Sequence, residues 1–119
     1  MINDITDDNF DAEVMRSDIP CVILFTAHWC TWCPEMLERM EEASHAFEGE
    51  AKFCSVNTDT ERKLRIAFAV GTLPYIVMVR DGKKIPLFDE IVTVDRLEER
   101  VRYMLDDGKA PFETPVVIR

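Results

Sequence analysis

Basic residues are scarce in this chain of 119 residues. Lysine and arginine together number 14 against 23 aspartates and glutamates, which gives a formal net charge of -9. The sequence also has no run of lysine or arginine that could follow a phosphate backbone. A nucleic-acid partner is therefore not expected, because such partners are held largely by clustered positive charge.

Long apolar runs are also missing, and none approaches the length that a membrane-spanning helix requires. The first 20 residues carry Asp4, Asp7 and Asp8 where a secretory leader would have a basic segment followed by an apolar one. We therefore expect no membrane partner and a location in the cytoplasm.

A regular spacing of cysteine and histidine, as in common structural zinc sites, is also missing. Such a site needs four ligands, and His28 and His45 do not supply the usual spacing beside Cys30 and Cys33. A metal site shared between two chains remains an alternative. A secreted framework of two disulfides is disfavoured, because a hydrophobic content of 47% can fill a core without such bridges.

The length and the hydrophobic content predict one compact domain, in which strands and helices alternate. The continuous apolar run 21–25 predicts a strand buried on both faces, and the helical spacing of apolar residues over 34–47 predicts a long helix. Further strands are predicted at 2–5, 51–56, 75–79 and 84–88, with a hairpin turn at Asp81-Gly82. Further helices are predicted from a cap at Asp7 or Asp8 towards Ser17, over 60–69, and from a cap at Thr93 to Gly108.

This order predicts an α/β fold with a mixed central sheet of about five strands flanked by about four helices. The domain is predicted to cover residues 1–108, followed by a C-terminal tail over 109–119. Three alternatives exist for the apolar residues 116–118 in this tail: a disordered end, an added edge strand, or a flap over a groove. We expect the disordered end.

The clearest chemistry lies in Cys30-Thr31-Trp32-Cys33, where the buried strand ends and the long helix begins. The free N–H groups and positive end of that helix favour a thiolate at Cys30. A thiolate attacks disulfides, and a second cysteine one turn further on can resolve the mixed disulfide that results. An incidental buried pair and a pair of metal ligands are the alternatives.

These residues resemble the thioredoxin family, and the likeness extends over Ile2 to Asp107. The resemblance implies a thioredoxin fold and catalysis by Cys30 and Cys33. It also implies a cis bond at Leu73-Pro74 that faces the dithiol. The landmarks are Trp29-Cys30-x-x-Cys33, the strand 22–27, Val56-Asn57-Thr58-Asp59, Thr72-Leu73-Pro74 and Asp81-Gly82. The implied substrate-binding residues are Trp29, Thr31, Trp32, Thr72, Leu73 and Pro74.

The chain departs from the family at several of these positions. Thr31-Trp32 replaces the usual Gly-Pro between the cysteines, so the resemblance does not fix the redox potential or the substrate choice. The family's buried acid falls at Leu24 and its lysine partner at Ser55. Without that acid, we expect slow deprotonation of Cys33 and slow resolution. The remaining candidates for a proton acceptor are Glu35, Asp59 and water.

Other residues near the dithiol carry weaker expectations. A glycine that borders the family's groove falls at Glu90, and Glu35, Asp89 and Glu90 are expected to raise the pKa of the attacking thiol relative to the family. His28 could lend positive charge to the thiolate, but we expect an exposed loop histidine. Cys21 and Cys54 lie in predicted strands, where they are expected to act as small hydrophobic residues.

The predicted function is that of a protein dithiol-disulfide oxidoreductase that works as a monomer and needs no bound cofactor. Its partners would be disulfide-containing protein substrates and, by resemblance, a reductase as electron donor. A thioredoxin-fold adaptor or chaperone-like binding module with little redox turnover is the alternative. Disulfide isomerisation or oxidation is a third possibility, which differs from reduction in redox potential.

Overall fold

The computed structural model describes residues 1–106, 108 and 113–118. Within these residues the strands are β1 Asn3–Asp4, β2 Cys21–Thr26, β3 Lys52–Asn57, β4 Tyr75–Arg80, β5 Lys83–Phe88 and β6 Thr114–Pro115. The helices are a π-helical segment Asp11–Met15, α1 Cys33–Ser44, α2 Arg62–Ala67 and α3 Val94–Asp106, with a 3₁₀ turn at His45–Phe47. None of the helices in the described residues is long and apolar enough to cross a membrane.

The strands form one mixed sheet in the order β1-β3-β2-β4-β5-β6. β3 pairs in parallel with β1 and β2, whereas β4 pairs antiparallel with β2 and β5. The predicted α/β class and mixed sheet are confirmed. The sheet has six strands instead of about five within the described residues, because residues beyond the predicted domain boundary add β6.

β2 is buried along most of its length because helices cover both faces of the sheet at this strand. Its side chains alternate between two apolar clusters. The cluster on the side of α1 and α3 includes Val22, Leu24, Met36, Met40, Leu97 and Val101. The cluster on the side of the π-helical segment and α2 includes Cys21, Ile23, Phe25, Phe10, Leu64 and Phe68.

Local signals place several element boundaries where the sequence predicts them. The hairpin between β4 and β5 turns at Asp81 and Gly82, whose φ angles of 53° and 73° lie in the left-handed region that this kind of turn requires. The Thr93 hydroxyl accepts a hydrogen bond from the Arg96 N–H at 3.2 Å, so Thr93 caps α3 as predicted.

The predicted cap of the first helix is wrong. The turn begins at Thr6, whose hydroxyl accepts a hydrogen bond from the Asn9 N–H at 3.1 Å. Asp7 instead accepts hydrogen bonds from the backbone N–H groups of Lys63 and Leu64 at 3.2 and 3.0 Å, and so caps the distant α2. The parallel pairing of β1 with β3 brings the two segments together, which local sequence does not reveal.

Thr114–Pro115 form the edge strand β6, two residues earlier than the edge-strand alternative placed it, and residues 116–118 follow this strand without being part of it. β6 pairs antiparallel with β5, and Val116 is 9% exposed against the apolar cluster that contains Phe10. Residues 109–112 and 119 of the predicted tail lie outside the described residues. The domain boundary at residue 108 stays a prediction.

Candidate active site

The two cysteines of the motif lie between the end of β2 and the start of α1. The Cys30 N–H donates a hydrogen bond of 3.1 Å to the Ala27 carbonyl, which closes a four-residue turn after the strand. Cys30 and Cys33 form a disulfide bond, with Cα atoms 5.4 Å apart. The structure therefore represents the oxidised form of this pair.

Cys30 lies three residues before the first residue of α1, next to the end of the helix at which its dipole is positive. Cys33 is the first helical residue, and its N–H donates to the Cys30 carbonyl at 3.4 Å. Pro34 follows in the first turn, where a missing N–H is tolerated because that group would have no helical partner. Both cysteines are buried residues, with Cys30 6% exposed and Cys33 3% exposed.

Two large aromatic side chains beside the disulfide face solvent. Trp29 is 62% exposed and Trp32 is 55% exposed, so neither indole fills the core. Thr31, between the cysteines, is also exposed. Large exposed indoles are a common feature of surfaces that bind other proteins.

The segment before β4 reaches the same end of the sheet as the disulfide. β2 and β4 run antiparallel with Phe25 opposite Tyr75, which places the preceding Pro74 beside the strand end that leads to the cysteines. The Leu73-Pro74 peptide bond is cis. Pro74 is buried, Leu73 is half-buried and Thr72 is exposed. Their assignment to substrate binding stays a prediction.

The core on the α1 side of β2 is apolar where the family has an acid. Leu24 is fully buried in a cluster with Met36 and Met40 of α1. Ser55, at the position of the family's lysine, donates its hydroxyl hydrogen to Asp4 at 3.0 Å. Neither side chain can take a proton from Cys33.

The two carboxylates proposed as substitute proton acceptors are engaged elsewhere. Glu35 pairs with Arg39 at 2.7 Å. Asp59 accepts hydrogen bonds from the backbone N–H of His28 at 2.8 Å and from its ring Nδ1 at 2.5 Å. The His28 backbone, followed by its ring, lowers the pKa of Asp59, which makes this carboxylate a weaker base.

Acidic residues near the groove are partly balanced by arginine. Glu90 lies 3.8 Å from Arg96, as Glu35 lies beside Arg39. Asp89 is exposed, and its charge adds to the effect of burial in raising the pKa of Tyr75. The effect of these carboxylates on the Cys30 thiol stays a prediction.

The remaining cysteines lie on the opposite face of the sheet from α1. Cys21 and Cys54 are free thiols, both 0% exposed, in the neighbouring strands β2 and β3. Interaction between the two thiols lowers the pKa of Cys21 and raises that of Cys54, while burial raises both. Because solvent does not reach either sulfur, we assign them to the core, as the sequence predicts.

The link between His28 and Asp59 was missed from the sequence. His28 is exposed, as expected, but its ring has a defined partner. The contact follows from the strand register: Thr26 pairs with Asn57 at the ends of β2 and β3, and His28 and Asp59 each lie two residues beyond this pair.

Comparison with known proteins gives consistent results. The family model described as Thioredoxin matches residues 1–103. A thioredoxin from Rickettsia typhi is 30% identical over 84 residues, covering 71% of this chain and 80% of its own length. Thioredoxin 1 from Nostoc sp. is 29% identical over 83 residues, covering 70% and 78%.

A solved structure supports the fold. The chain superimposes on chloroplastic thioredoxin z with a TM-score of 0.78 at 16% identity, covering 90% of this chain and 96% of the other. At this level of identity the match concerns the arrangement of strands and helices alone.

Proposed function

This chain belongs to the thioredoxin family and is a thiol-disulfide oxidoreductase, and we propose that Cys30 is its attacking thiol and Cys33 its resolving thiol. The observation that carries the proposal is the Cys30–Cys33 disulfide at the start of α1, beside two exposed indoles. Such a pair suits reversible exchange because each sulfur can bond either to the other or to a partner.

The reaction proceeds by two exchanges. The reduced protein presents Cys30 as a thiolate, which attacks one sulfur of a substrate disulfide and releases the other as a thiolate that takes a proton. Cys33 then loses its proton and attacks the Cys30 sulfur, which releases the second substrate thiol. The substrate gains two electrons and two protons, and Cys30 and Cys33 become the disulfide seen here.

We expect the second exchange to limit turnover more than it does in relatives with a buried acid. Leu24 provides no base, Glu35 is paired with Arg39, and the lowered pKa of Asp59 weakens it as a base. Water is then the acceptor we favour for the Cys33 proton. A longer-lived mixed disulfide is the expected consequence.

Disulfide-containing proteins are the substrate class of the family, and a reductase is the usual source of electrons. For this chain we propose that Trp29 and Trp32 contact apolar residues that flank the substrate disulfide. Both indoles are more than half exposed and adjoin the reactive pair. Thr31, Thr72, Leu73 and Pro74 complete the proposed substrate-binding surface.

The proposal includes the compartment, the oligomeric state and the classes of partner. Two buried free thiols suit a reducing compartment, so we favour the cytoplasm. We propose that the protein works as a monomer, with neither nucleic acid nor membrane as a partner. The net charge of -9 opposes attraction to phosphate backbones and to anionic lipid.

Reduction of insulin in the presence of dithiothreitol tests the function. We expect the wild-type protein to accelerate the reaction and Cys30→Ser to remove that acceleration. The apolar surroundings of Leu24 favour a second candidate, an adaptor with little redox turnover. A wild-type rate equal to that of Cys30→Ser would support the adaptor and contradict the oxidoreductase.

A further inference from the structure

The turn that carries Cys30 has His28 and Trp29 at its centre. Its closing hydrogen bond runs from the Cys30 N–H to the Ala27 carbonyl at 3.1 Å. Cys30 is therefore the last residue of the turn, and the backbone conformation at His28 and Trp29 sets the direction in which its sulfur points.

One carboxylate oxygen holds both the main chain and the side chain of His28. Asp59 Oδ2 accepts a hydrogen bond from the His28 N–H at 2.8 Å and another from ring Nδ1 at 2.5 Å. Because an ionised carboxylate can only accept, Nδ1 must carry the proton in this contact. These two hydrogen bonds fix the His28 ring relative to the backbone of His28, which is the first central residue of the turn.

Asp59 is itself anchored to the sheet. Its N–H donates to the Asn57 side chain at 2.9 Å. The preceding residue, Thr58, donates to the Thr26 carbonyl from both its N–H and its hydroxyl, each at 2.8 Å. Thr26 and Asn57 are the last paired residues of β2 and β3, so these bonds attach the Asp59 backbone to the end of the sheet.

We propose that His28 is a positioning residue for Cys30: its imidazole, held by Asp59, fixes the turn that presents the attacking sulfur to a substrate disulfide. This inference rests on the proposed function, because it takes Cys30 as the nucleophile. In-line attack on a disulfide demands an oriented sulfur, so loosening the turn slows the first exchange.

Two further observations support this role. The His28 side chain is 82% exposed, so it adds little to the core, and its defined contact is the one with Asp59. Hydrogen bonds from the backbone and the ring of His28 are the main causes of the lowered pKa of Asp59, and the Trp29 side chain makes a smaller contribution. The two hydrogen bonds from His28 to this carboxylate therefore act at the centre of the turn.

The test isolates the first exchange in a Cys33→Ser background. The reduced protein is mixed with a synthetic peptide that contains one disulfide, and the covalent adduct is followed by intact mass. We expect His28→Ala to slow adduct formation about threefold to tenfold, the range that one such hydrogen bond is worth. His28→Asn keeps an N–H at a position similar to Nδ1 and should restore the rate to within about twofold.

A matched control and a spectroscopic readout separate positioning from a general loss of structure. His45→Ala removes another exposed histidine, on the 3₁₀ turn after α1, and should leave the rate unchanged. In a Trp32→Phe background, Trp29 is the remaining tryptophan. Its fluorescence should change in His28→Ala and return in His28→Asn.

The outcomes distinguish a failure of the His28 inference from a failure of the proposed exchange function of Cys30. If the Cys33→Ser parent forms no adduct, the proposed function fails and the inference fails with it. If the parent forms the adduct but His28→Ala matches its rate, the function stands and His28 is not a positioning residue. Equal slowing in His28→Ala and His28→Asn would also overturn the inference.

Discussion

The Val116 N–H donates a hydrogen bond of 2.9 Å to the Gly82 carbonyl, which joins the C-terminal segment to the hairpin between β4 and β5. The contact extends the pairing of β6 along the edge of the sheet. Nearby, the Glu113 carboxylate pairs with the Arg80 guanidinium, which also donates to the Met104 carbonyl near the end of α3. The segment is thus tied to the sheet and close to α3.

Val116→Ala should therefore destabilise the protein. Val116 is 9% exposed within an apolar cluster, whereas its neighbour Val117 is 56% exposed. We expect Val116→Ala to lower the free energy of unfolding by about 1–2 kcal/mol and Val117→Ala by less than about 0.5 kcal/mol. Urea unfolding of both variants measures the difference, and equal midpoints would show that the segment does not pack as described.

An acid introduced at Leu24 should speed resolution and weaken the fold. Leu24 is fully buried, so Leu24→Asp should lower the free energy of unfolding by about 3–5 kcal/mol. Burial also raises the pKa of the new carboxyl, which suits it to accept the Cys33 proton. We expect the mixed disulfide to be resolved at least about tenfold faster than in Leu24→Asn, the control that cannot exchange a proton.

Rapid chemical quenching followed by intact mass gives the lifetime of that mixed disulfide. Comparison with Leu24→Asn removes the effect of the lost leucine, because both variants carry a polar group of similar size. Equal lifetimes in Leu24→Asp and Leu24→Asn would mean that the missing acid does not limit resolution.

Removal of the Trp32 indole should alter activity on proteins more than stability. Because Trp32 is 55% exposed, we expect Trp32→Ala to change the free energy of unfolding by less than about 0.5 kcal/mol. Its kcat/KM with insulin should fall about fivefold to tenfold through lost contact with the substrate chain. The rate with a small aliphatic disulfide should change less than about twofold.

Tyr103→Ala is the control for Trp32→Ala, since Tyr103 is 60% exposed but belongs to α3. It should leave both rates unchanged. Equal losses for insulin and the small disulfide in Trp32→Ala would argue against a role for this indole in recognising protein substrates.

Acid titration of stability should reveal the contact between Asp59 and His28. The pKa of Asp59 in the folded protein lies below its ordinary value of 3.8, because His28 donates to the ionised carboxylate. The stabilisation is therefore complete above about pH 4–5 and disappears as the pH falls through the folded value. We expect the difference in urea midpoint between wild type and Asp59→Asn to shrink below about pH 4.

Asp18→Asn changes an exposed carboxylate that lies in a bend, away from the start of a helix, and serves as the control for Asp59→Asn. A midpoint difference for Asp59→Asn that stays constant from pH 6 to about pH 2.5 would contradict the assigned contact.

Much of the fold could be predicted because its signals are local. The helical spacing behind α1, the turn residues Asp81 and Gly82 and the Thr93 cap each lie within a few residues of the structure that they specify. The family and the oxidoreductase class followed from several such motifs in the right order, and the comparisons confirm both.

The features that escaped prediction depend on segments far apart in sequence. Asp7 caps a helix more than 50 residues away, and β6 crosses to the sheet edge from the chain end. His28 meets Asp59 through the same 31-residue offset that relates β2 to β3. That last contact becomes predictable once the strand register is known, because both residues follow the last paired residues by two positions.

The assignment of Cys30 as the attacking thiol and Cys33 as the resolving thiol is tested most directly by locating the trapped adduct. Reduced Cys33→Ser and Cys30→Ser proteins are each mixed with a disulfide-linked model peptide, and the adducts are mapped by peptide mass. We predict that Cys33→Ser accumulates an adduct on Cys30, whereas Cys30→Ser forms little, because Cys30 precedes the start of α1, whose positive end favours a thiolate, and Cys33 is the more buried residue. Equal adducts in both variants, or a preference for Cys33, would contradict the account.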